Sequence, residues 1–183
     1  MNLSKKAIEI KKLFTNYGTN DYIGEDINQV EHAIQTAMRA EIDDKNNRDL
    51  ILASLLHDVG HLVQFNNLDK DKSMGGYGRK SHELIGADFL KHLGFNDKII
   101  YLVESHVLTK RYLVAADNDY MNKLSNASKV TLKYQGGPMT IKEQKEFELH
   151  KWFKDALKLR SYDDCGKNIG KKIKSLDYFL CMI

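Results

Sequence analysis

Residues 53–61 read ASLLHDVGH, and this short stretch joins a strongly apolar helix to three polar, ionisable side chains. His57, Asp58 and His61 follow the apolar run at the depth where a core helix buries its face. An unpaired polar group in an apolar interior costs roughly 2–7 kcal/mol. The three side chains are therefore either hydrogen-bonded core residues or groups that hold a charged ligand.

The composition fits one domain of ordinary size. The chain has 183 residues, of which 42% are hydrophobic and 29% charged, with a formal net charge of +3. We expect a single domain over residues 1–183. The lysines are spread rather than gathered in one stripe, which predicts no nucleic-acid partner. No window approaches the roughly 18 apolar residues of a membrane span, and the two cysteines form no paired motif. We therefore expect a cytoplasmic protein without a membrane partner.

The pattern along the chain predicts an all-α fold. The chain has only one proline, Pro138, and runs of alternating β-branched residues are scarce. Apolar residues at helical spacing predict helices over residues 4–17, 27–42, 47–57, 81–93, 97–106, 120–134 and 141–160. A long loop is expected over residues 62–80. The basic segment GKNIGKKIKS, residues 166–175, is predicted to be a solvated part of the C-terminal region.

Four of the seven histidines sit on successive predicted helices: His32 lies within the second, and His57, His82 and His106 lie at helix ends. A lone histidine is more often a hydrogen-bonded core residue than a ligand, but several at one depth favour a metal site. Imidazole with carboxylate suits Fe, Mn, Zn or Ni. Adjacent His57 and Asp58 cannot face the same way on a straight helix, so we expect them to address two neighbouring metals, with Asp58 bridging. The predicted ligands are His32, His57, Asp58, His82, His106 and either Asp163 or Asp164, of which the spacing to Arg160 favours Asp163.

Beyond this spacing, the chain resembles a known family. His32, the HD pair at 57–58 and Asp163 resemble the HD-domain superfamily of metal-dependent all-α proteins, and His82 and His106 are similar to the pair that makes its site dinuclear. The resemblance extends to the HD-domain mixed-valent di-iron oxygenases that cleave organophosphonates. It rests on the segments YIGEDINQVEHAIQTAMRAE, LLHDVGHL, MGGYGRKSHELIGADFLKHLGF, ESHVLTKRYL, LSNASKVTLKYQGGPM and LRSYDDCGK, which together cover most of the chain.

The resemblance implies an activity and a set of site residues. The enzymes of this group use O2 to cleave a 1-hydroxy-2-aminoalkylphosphonate, which gives phosphate and glycine or an N-methylated analogue. It implies two iron ions, Fe(II) and Fe(III), bridged by Asp58. His61 would lie near the substrate side, and Tyr22 and Glu25 would guard the resting site, the glutamate later facing the amine. The phosphonate-binding positions would be Lys110, Ser128, Thr131, Gln135 and Arg160.

The residue chemistry of this second set suits an anion. Arginine offers a planar fork of donors and lysine a point charge. Ser128 and Thr131 lie three residues apart and Gln135 four further on, so the three polar groups share one helix face. Polar residues on the solvent side of an amphipathic helix would give the same spacing. The anion-binding interpretation therefore depends on Lys110 and Arg160 lying close by.

Three other functions stay open at this point. The chain could be an HD-domain phosphohydrolase that uses its metals to generate a hydroxide nucleophile. It could be an oxygenase of the same group with a different substrate, or a binding module with structural histidines. For the phosphonate oxygenase, an Fe(II)/2-oxoglutarate hydroxylase is the expected upstream pathway partner, without a stable complex. His92 and His150 match no ligand position and are expected to be exposed.

The implied role of Tyr22 generates a prediction. A tyrosine oxygen that occupies an iron until substrate arrives would protect the reduced site from O2. Tyr22→Phe should therefore make the substrate-free, iron-loaded protein oxidise faster in air, which loss of Fe(II) with time measures. Unchanged autoxidation would argue against a protective role of Tyr22.

Overall fold

The structure is a computed structural model that describes residues 3–19, 26–63, 74 and 76–183. Within these residues the chain is helical and forms no strand, which confirms the all-α prediction. The described helices are α1 Lys5–Tyr17, α2 Gln29–Asp43, α3 Arg48–Leu56, a 3₁₀ turn Val59–His61, α4 His82–His92, α5 Asp97–Ala116, α6 Tyr120–Lys123, α7 Asn126–Tyr134, α8 Ile141–Glu148, α9 Phe153–Cys165 and α10 Leu176–Leu180. None of the helices in these ranges is both long and apolar enough to cross a membrane.

Asparagine caps fix where three of the central helices begin. The side-chain oxygen of Asn28 accepts from the backbone N–H of Glu31 at 2.8 Å at the start of α2. Asn47 and Asn96 cap α3 and α5 in the same way. Each cap satisfies a backbone donor that the helix leaves unpaired and is worth about 1 kcal/mol. The caps therefore set the register of the helices that carry the histidines.

Helix α3 lies at the centre of the core. Every residue from Leu50 to Leu56 is buried, and α2, α5 and α9 all pack against this helix. The inward faces of the three surrounding helices meet the end of α3, where the HD pair is located. His57 and Asp58, which follow the apolar run, are therefore surrounded by the helices of the core.

Three predicted helix boundaries are wrong. Helix α5 does not end at His106 but continues to Ala116, since no glycine or proline interrupts it. The predicted helix over residues 120–134 is broken at Leu124, whose backbone is extended at φ −68° and ψ 142°. There the hydroxyl of Ser125 caps α7 by accepting from the N–H of Ser128 at 3.2 Å. A serine inside an apolar pattern thus starts a new helix.

The long predicted helix over residues 141–160 is also two helices, α8 and α9. The break lies between Leu149, which is 85% exposed, and Trp152, whose backbone leaves the helical region at φ −107° and ψ 16°. Helix α9 then runs on to Cys165. As a result Asp163 lies in the last turn of α9 rather than after the helix.

The basic segment 166–175 is not simply solvated, which corrects the prediction. Gly166 is buried, and Ile173 packs against the hydrophobic core. Lys174 donates to Glu41 on α2 at 2.5 Å. Only part of the segment, such as Ile169 at 71% exposure, faces solvent. Among the lysines of this segment, Ile173 packs against the core and Gly166 lies against α2.

Candidate metal centre

The HD pair lies where α3 stops. Leu56 is the last residue of the helix, His57 is its C-cap, and Asp58 has left helical geometry at φ −102° and ψ 10°. The end of the helix lets two adjacent side chains take part in different clusters. On a straight helix, His57 and Asp58 could not face the same way. The turn after Leu56 removes this restriction.

The first cluster consists of three residues: His32 on α2, His57 at the end of α3 and Asp163 on α9. The two Nε2 atoms lie 3.1 Å apart, and His32 Nε2 lies 3.3 Å from Asp163 Oδ1. His57 Nε2 lies 3.8 Å from the same oxygen. Both histidines are fully buried and Asp163 is 2% exposed. Three helices thus place three potential ligand atoms around one point.

The second cluster consists of His82 at the start of α4 and His106 on α5. Their Nε2 atoms lie 3.0 Å apart, and they lie 3.3 and 3.4 Å from Asp58 Oδ1. Gly60 permits this placement, because a Cβ on it would lie 1.9 Å from the carbonyl oxygen of His82. The close approach of the 3₁₀ turn to α4 therefore requires glycine in the sequence HDVGH.

Asp58 belongs to both clusters. Its Oδ1 faces the second histidine pair, while its Oδ2 lies 3.3 Å from His57 Nε2 and 3.8 Å from His32 Nε2. Burial would raise the pKa of this carboxyl, but the surrounding histidines hold it well below its usual range. The arrangement is that of a carboxylate with one oxygen in each of two neighbouring sites.

Within each histidine pair, His32 with His57 and His82 with His106, the Nε2 lone pairs face each other. Each Nδ1 lies within hydrogen-bond distance of a backbone carbonyl, at Gly166 for His32, Ser54 for His57, Arg79 for His82 and Val103 for His106. A carbonyl only accepts, so in the neutral ring Nδ1 carries the proton and Nε2 offers its lone pair. Backbone acceptors of this kind are typical partners of metal-bound histidines.

These facing lone pairs fit a cation in each cluster. Two unprotonated nitrogens 3.0–3.1 Å apart repel each other unless a positive charge lies between them. Asp163 Oδ1 is buried and accepts no hydrogen bond from the part of the chain that the structure describes. Without a metal, a proton on His57 would supply this positive charge: burial lowers the pKa of His57, but Asp58 and Asp163 outweigh it and raise this pKa to about 9. The donors, imidazole and carboxylate, suit a first-row transition metal.

His61 differs from the four histidines of the clusters. It stacks on His82 with ring centroids 4.0 Å apart, and its Nδ1 accepts from the backbone N–H of Arg79 at 3.3 Å. The proton of the neutral ring is therefore on Nε2, which makes that atom a donor rather than a ligand. Burial holds the pKa of His61 well below its usual range. His61 lines the pocket beside the clusters, where one of its ring nitrogens also lies within 4.8 Å of potential ligand atoms of Asp58 and His82.

A pocket with a cavity volume of about 60 Å³, partly open to solvent, adjoins the two clusters. Asp58, Asp163, His82 and His106 lie in its wall. The structure also brings to this wall all five residues that the sequence assigns to the anion: Lys110, Ser128, Thr131, Gln135 and Arg160. The polar face of α7 therefore lines a cavity rather than the solvent surface.

Lys110 and Arg160 give the pocket a positive wall. Lys110 is 4% exposed and donates to Thr131 Oγ1 at 3.0 Å. Burial and the charge of Arg160 lower the pKa of Lys110 to about 7. Arg160 contacts Asp163 at 2.7 Å through Nη1 and donates to the hydroxyl of Tyr120 at 2.9 Å through Nε. Arg160 thus orients a candidate ligand as well as lining the pocket.

The structure separates the two adjacent aspartates. Asp163 faces the first histidine pair, whereas Asp164 is paired with Arg160 and accepts from Tyr120 at 2.5 Å. Sequence reasoning did not find Tyr120 or Lys167, which also lies in the pocket wall. Nothing in the local pattern marked either residue. Tyr22 and Glu25 lie outside the described residues, and their roles stay predictions.

The two remaining histidines lie away from the clusters. His92 is exposed, as expected, with 75% of its side chain accessible. His150 is half-buried, because its ring stacks on Tyr101 with centroids 3.5 Å apart. The expectation of exposure is therefore wrong for His150.

Comparison with known proteins identifies the family. The HD-domain family model matches residues 29–144, and the chain belongs to this family. Its relatives include the [1-hydroxy-2-(trimethylamino)ethyl]phosphonate dioxygenase (glycine-betaine-forming) of Leisingera caerulea, 35% identical over 93% of this chain and 85% of that protein. The hydroxymethylphosphonate dioxygenase of Gimesia maris is 32% identical over 98% of this chain and 89% of that protein. The uncharacterized protein L432 of Acanthamoeba polyphaga mimivirus is 46% identical over 93% and 76% of the two chains.

The geometry predicts how single substitutions change the metal content. After anaerobic loading with Fe(II) and desalting, we expect about two equivalents of iron in the unchanged protein. His32→Ala should retain about one, because it removes a donor from the first cluster only. Asp58→Ala should lose most of both, since its carboxylate is shared. Elemental analysis measures the content, and His92→Ala is the matched control that keeps two. Equal loss from His32→Ala and Asp58→Ala would contradict the shared carboxylate.

Proposed function

We propose that this protein is a mixed-valent di-iron oxygenase that uses O2 to cleave the carbon–phosphorus bond of a 1-hydroxy-2-aminoalkylphosphonate. The products would be phosphate and glycine or an N-methylated analogue. One observation carries the proposal: two buried clusters joined by Asp58 open onto a pocket whose wall also holds Lys110 and Arg160. The names of two relatives, both phosphonate dioxygenases, support the same reaction class.

The stoichiometry needs no further reductant. For 2-amino-1-hydroxyethylphosphonate, substrate plus one O2 equals glycine plus phosphate in atoms and charge. The C1–H and carbon–phosphorus bonds break, carbon is oxidised to the carboxylate level, and O2 is fully reduced. Iron would supply the redox chemistry with O2 that a redox-inert ion such as zinc cannot supply. His32, His57, Asp163, His82 and His106 would hold the two ions, with Asp58 between them.

The protein's own groups would bind and orient the phosphonate. Burial and Arg160 lower the pKa of Lys110 to about 7, and a phosphonate dianion would favour its charged form. Thr131 fixes the ammonium by accepting one of its hydrogen bonds. Gln135 Oε1 is buried and accepts no hydrogen bond from the described residues. This oxygen would accept from a hydroxyl or ammonium group of the substrate.

The remaining roles concern protons and the amine. His61 would keep its Nε2–H as a donor at the pocket wall, because burial disfavours its charged form. Glu25 would meet the amino group and Tyr22 would leave an iron as substrate binds. Because the substrate already carries its 1-hydroxyl, a hydroxylation must precede this reaction. An Fe(II)/2-oxoglutarate hydroxylase acting on an aminoalkylphosphonate is the class of enzyme we propose for that step.

The first experiment tests the reaction class and the substrate together. The protein is loaded with iron without O2, and its EPR spectrum is recorded with and without 2-amino-1-hydroxyethylphosphonate. Phosphate is measured before and after O2 is admitted, in parallel with the trimethylated analogue and hydroxymethylphosphonate. A mixed-valent signal that changes with substrate, and phosphate that appears only with O2, is the expected result.

Each other outcome points to a different function. Phosphate released without O2 would replace the proposal with an HD-domain phosphohydrolase. Preference for hydroxymethylphosphonate over the amines would retain the oxygenase and refute the aminoalkyl substrate. A substrate-free signal that none of the phosphonates alters would indicate an oxygenase with another substrate.

Lys110 provides a prediction on the anion. A hydrogen bond to a charged group is worth about 1.5–3 kcal/mol, which corresponds to roughly a 10- to 150-fold change. Lys110→Met should raise KM for the phosphonate by about this factor without changing the iron content. In the unchanged protein, affinity should also fall as pH rises through about 7, because the cationic form that binds the anion is lost. Lys172→Met, at an exposed lysine, is the control, and an unchanged KM in Lys110→Met would contradict the assignment.

A further inference from the structure

A short strap, residues 166–168, follows α9 and passes over the inner face of α2. It has no helical structure of its own. Its first residue, Gly166, ends α9 by donating from its N–H to the carbonyl of Asp163 at 3.0 Å. The carbonyl of Gly166 accepts from His32 Nδ1 at 3.0 Å. The strap therefore supplies the backbone acceptor that sets the tautomer of one candidate ligand.

A buried glutamine holds the other end of the strap. Gln35 lies one helical turn after His32 on α2 and is 2% exposed. Its Nε2 donates to the carbonyl of Asn168 at 2.8 Å, and its Oε1 accepts from the N–H of Asn168 at 3.0 Å. Both polar atoms of the side chain are thus used on one backbone residue. A buried amide satisfied in this way fixes position more strongly than a single bond would.

The strap touches α2 directly. A Cβ on Gly166 would lie 2.5 Å from Thr36 Oγ1 and 3.3 Å from His32 Nδ1. The hydroxyl of Thr36 cannot move aside freely, because it donates to the carbonyl of His32 at 2.9 Å. Only glycine leaves the room in which this carbonyl reaches the imidazole.

The middle residue of the strap reaches the pocket. Lys167 lies between the residue bound to His32 and the residue bound to Gln35, and it lines the pocket. It is half-buried, and it joins Lys110 and Arg160 as a third basic residue there. Displacing the strap would move the partner of His32 and this basic residue together.

We propose that Gln35 is a positioning residue that, by clamping Asn168, fixes the Gly166 carbonyl on His32 and holds Lys167 in the pocket as a further contact for the anion. The clamp joins a metal ligand to the anion-binding wall through three consecutive residues. The part that concerns Lys167 deepens the proposed function, whereas the part that concerns His32 depends only on metal binding.

The first test is a metal titration of Gln35→Met, a change of similar size that removes both hydrogen bonds. Co(II) is titrated without O2 and followed by absorbance and calorimetry. Loss of a partner of a ligating histidine typically weakens metal binding by about 10- to 100-fold. We expect this loss at one of the two sites, with the other unchanged within about twofold. Gln144→Met, which removes a glutamine hydrogen bond to the carbonyl of Met139, a residue of neither cluster and not of the pocket wall, should change neither site.

The selectivity distinguishes positioning from a general loss of structure. Equal weakening of both sites, or no weakening of either, would overturn the proposal. Should Gln35→Met fail to fold, Gly166→Ala displaces the strap from its other end. That variant must give the same selective loss, and two normal sites in it would also overturn the clamp.

The second test concerns Lys167 and uses inorganic phosphate as the anion. Calorimetry on the metal-loaded protein should show about tenfold weaker phosphate binding in Lys167→Met, with both Co(II) sites unchanged. Lys172→Met, in the same basic segment, should bind phosphate normally. Unchanged binding in Lys167→Met would remove Lys167 from the proposal. Phosphate binding and metal titration do not require turnover, so a failure of the oxygenase reaction is distinguishable from a failure of the clamp.

Discussion

The structure depends on one buried carboxylate, Asp58, which two pairs of histidines share. A buried carboxylate is unfavourable unless positive charge or donors surround it. Here the surrounding groups are imidazoles whose Nδ1 protons are directed at backbone carbonyls, so a cation or a further proton among the Nε2 atoms would supply the positive charge. The helical core supplies the geometry: α2, α5 and α9 pack on α3, and the end of α3 places Asp58 between the pairs. The packing of these helices therefore determines both the fold and the geometry of the site.

Much of the site was predictable because its residues are distinctive and few. Histidines on successive apolar helices indicated a shared depth, and the adjacent HD pair indicated two neighbouring points. The helix boundaries were harder, because Ser125 and the break at Leu149 resemble ordinary positions in an amphipathic pattern. Gln35, Gly166 and Asn168 were beyond sequence reasoning altogether. Their interaction joins residues more than 130 positions apart through backbone atoms, and backbone atoms leave no trace in the residue pattern.

The pKa shifts differ between the two parts of the site, the histidine clusters and the pocket wall around Lys110. Around the clusters, carboxylates outweigh the cost of burial and raise the pKa of His57. Elsewhere in the pocket wall, burial and Arg160 lower the pKa of Lys110. A cation is favoured on one side and an anion on the other, a few side chains apart. Arg160 connects the two parts, since it pairs with Asp163 while lining the pocket. A ligand with an anionic group and metal-binding oxygens would satisfy both parts at once.

The placement of the second histidine pair has an evolutionary consequence. His82 and His106 both belong to the α4–α5 hairpin, and these two helices pack closely on each other. The first cluster takes its histidines and Asp163 from α2, the end of α3 and α9, and shares only Asp58 with the hairpin. The number of metal ions that the centre could hold therefore depends on the α4–α5 hairpin, which is one continuous segment of the chain. Substitutions confined to that hairpin would convert a two-metal ancestor into a one-metal descendant, or the reverse, while the remaining scaffold was inherited unchanged.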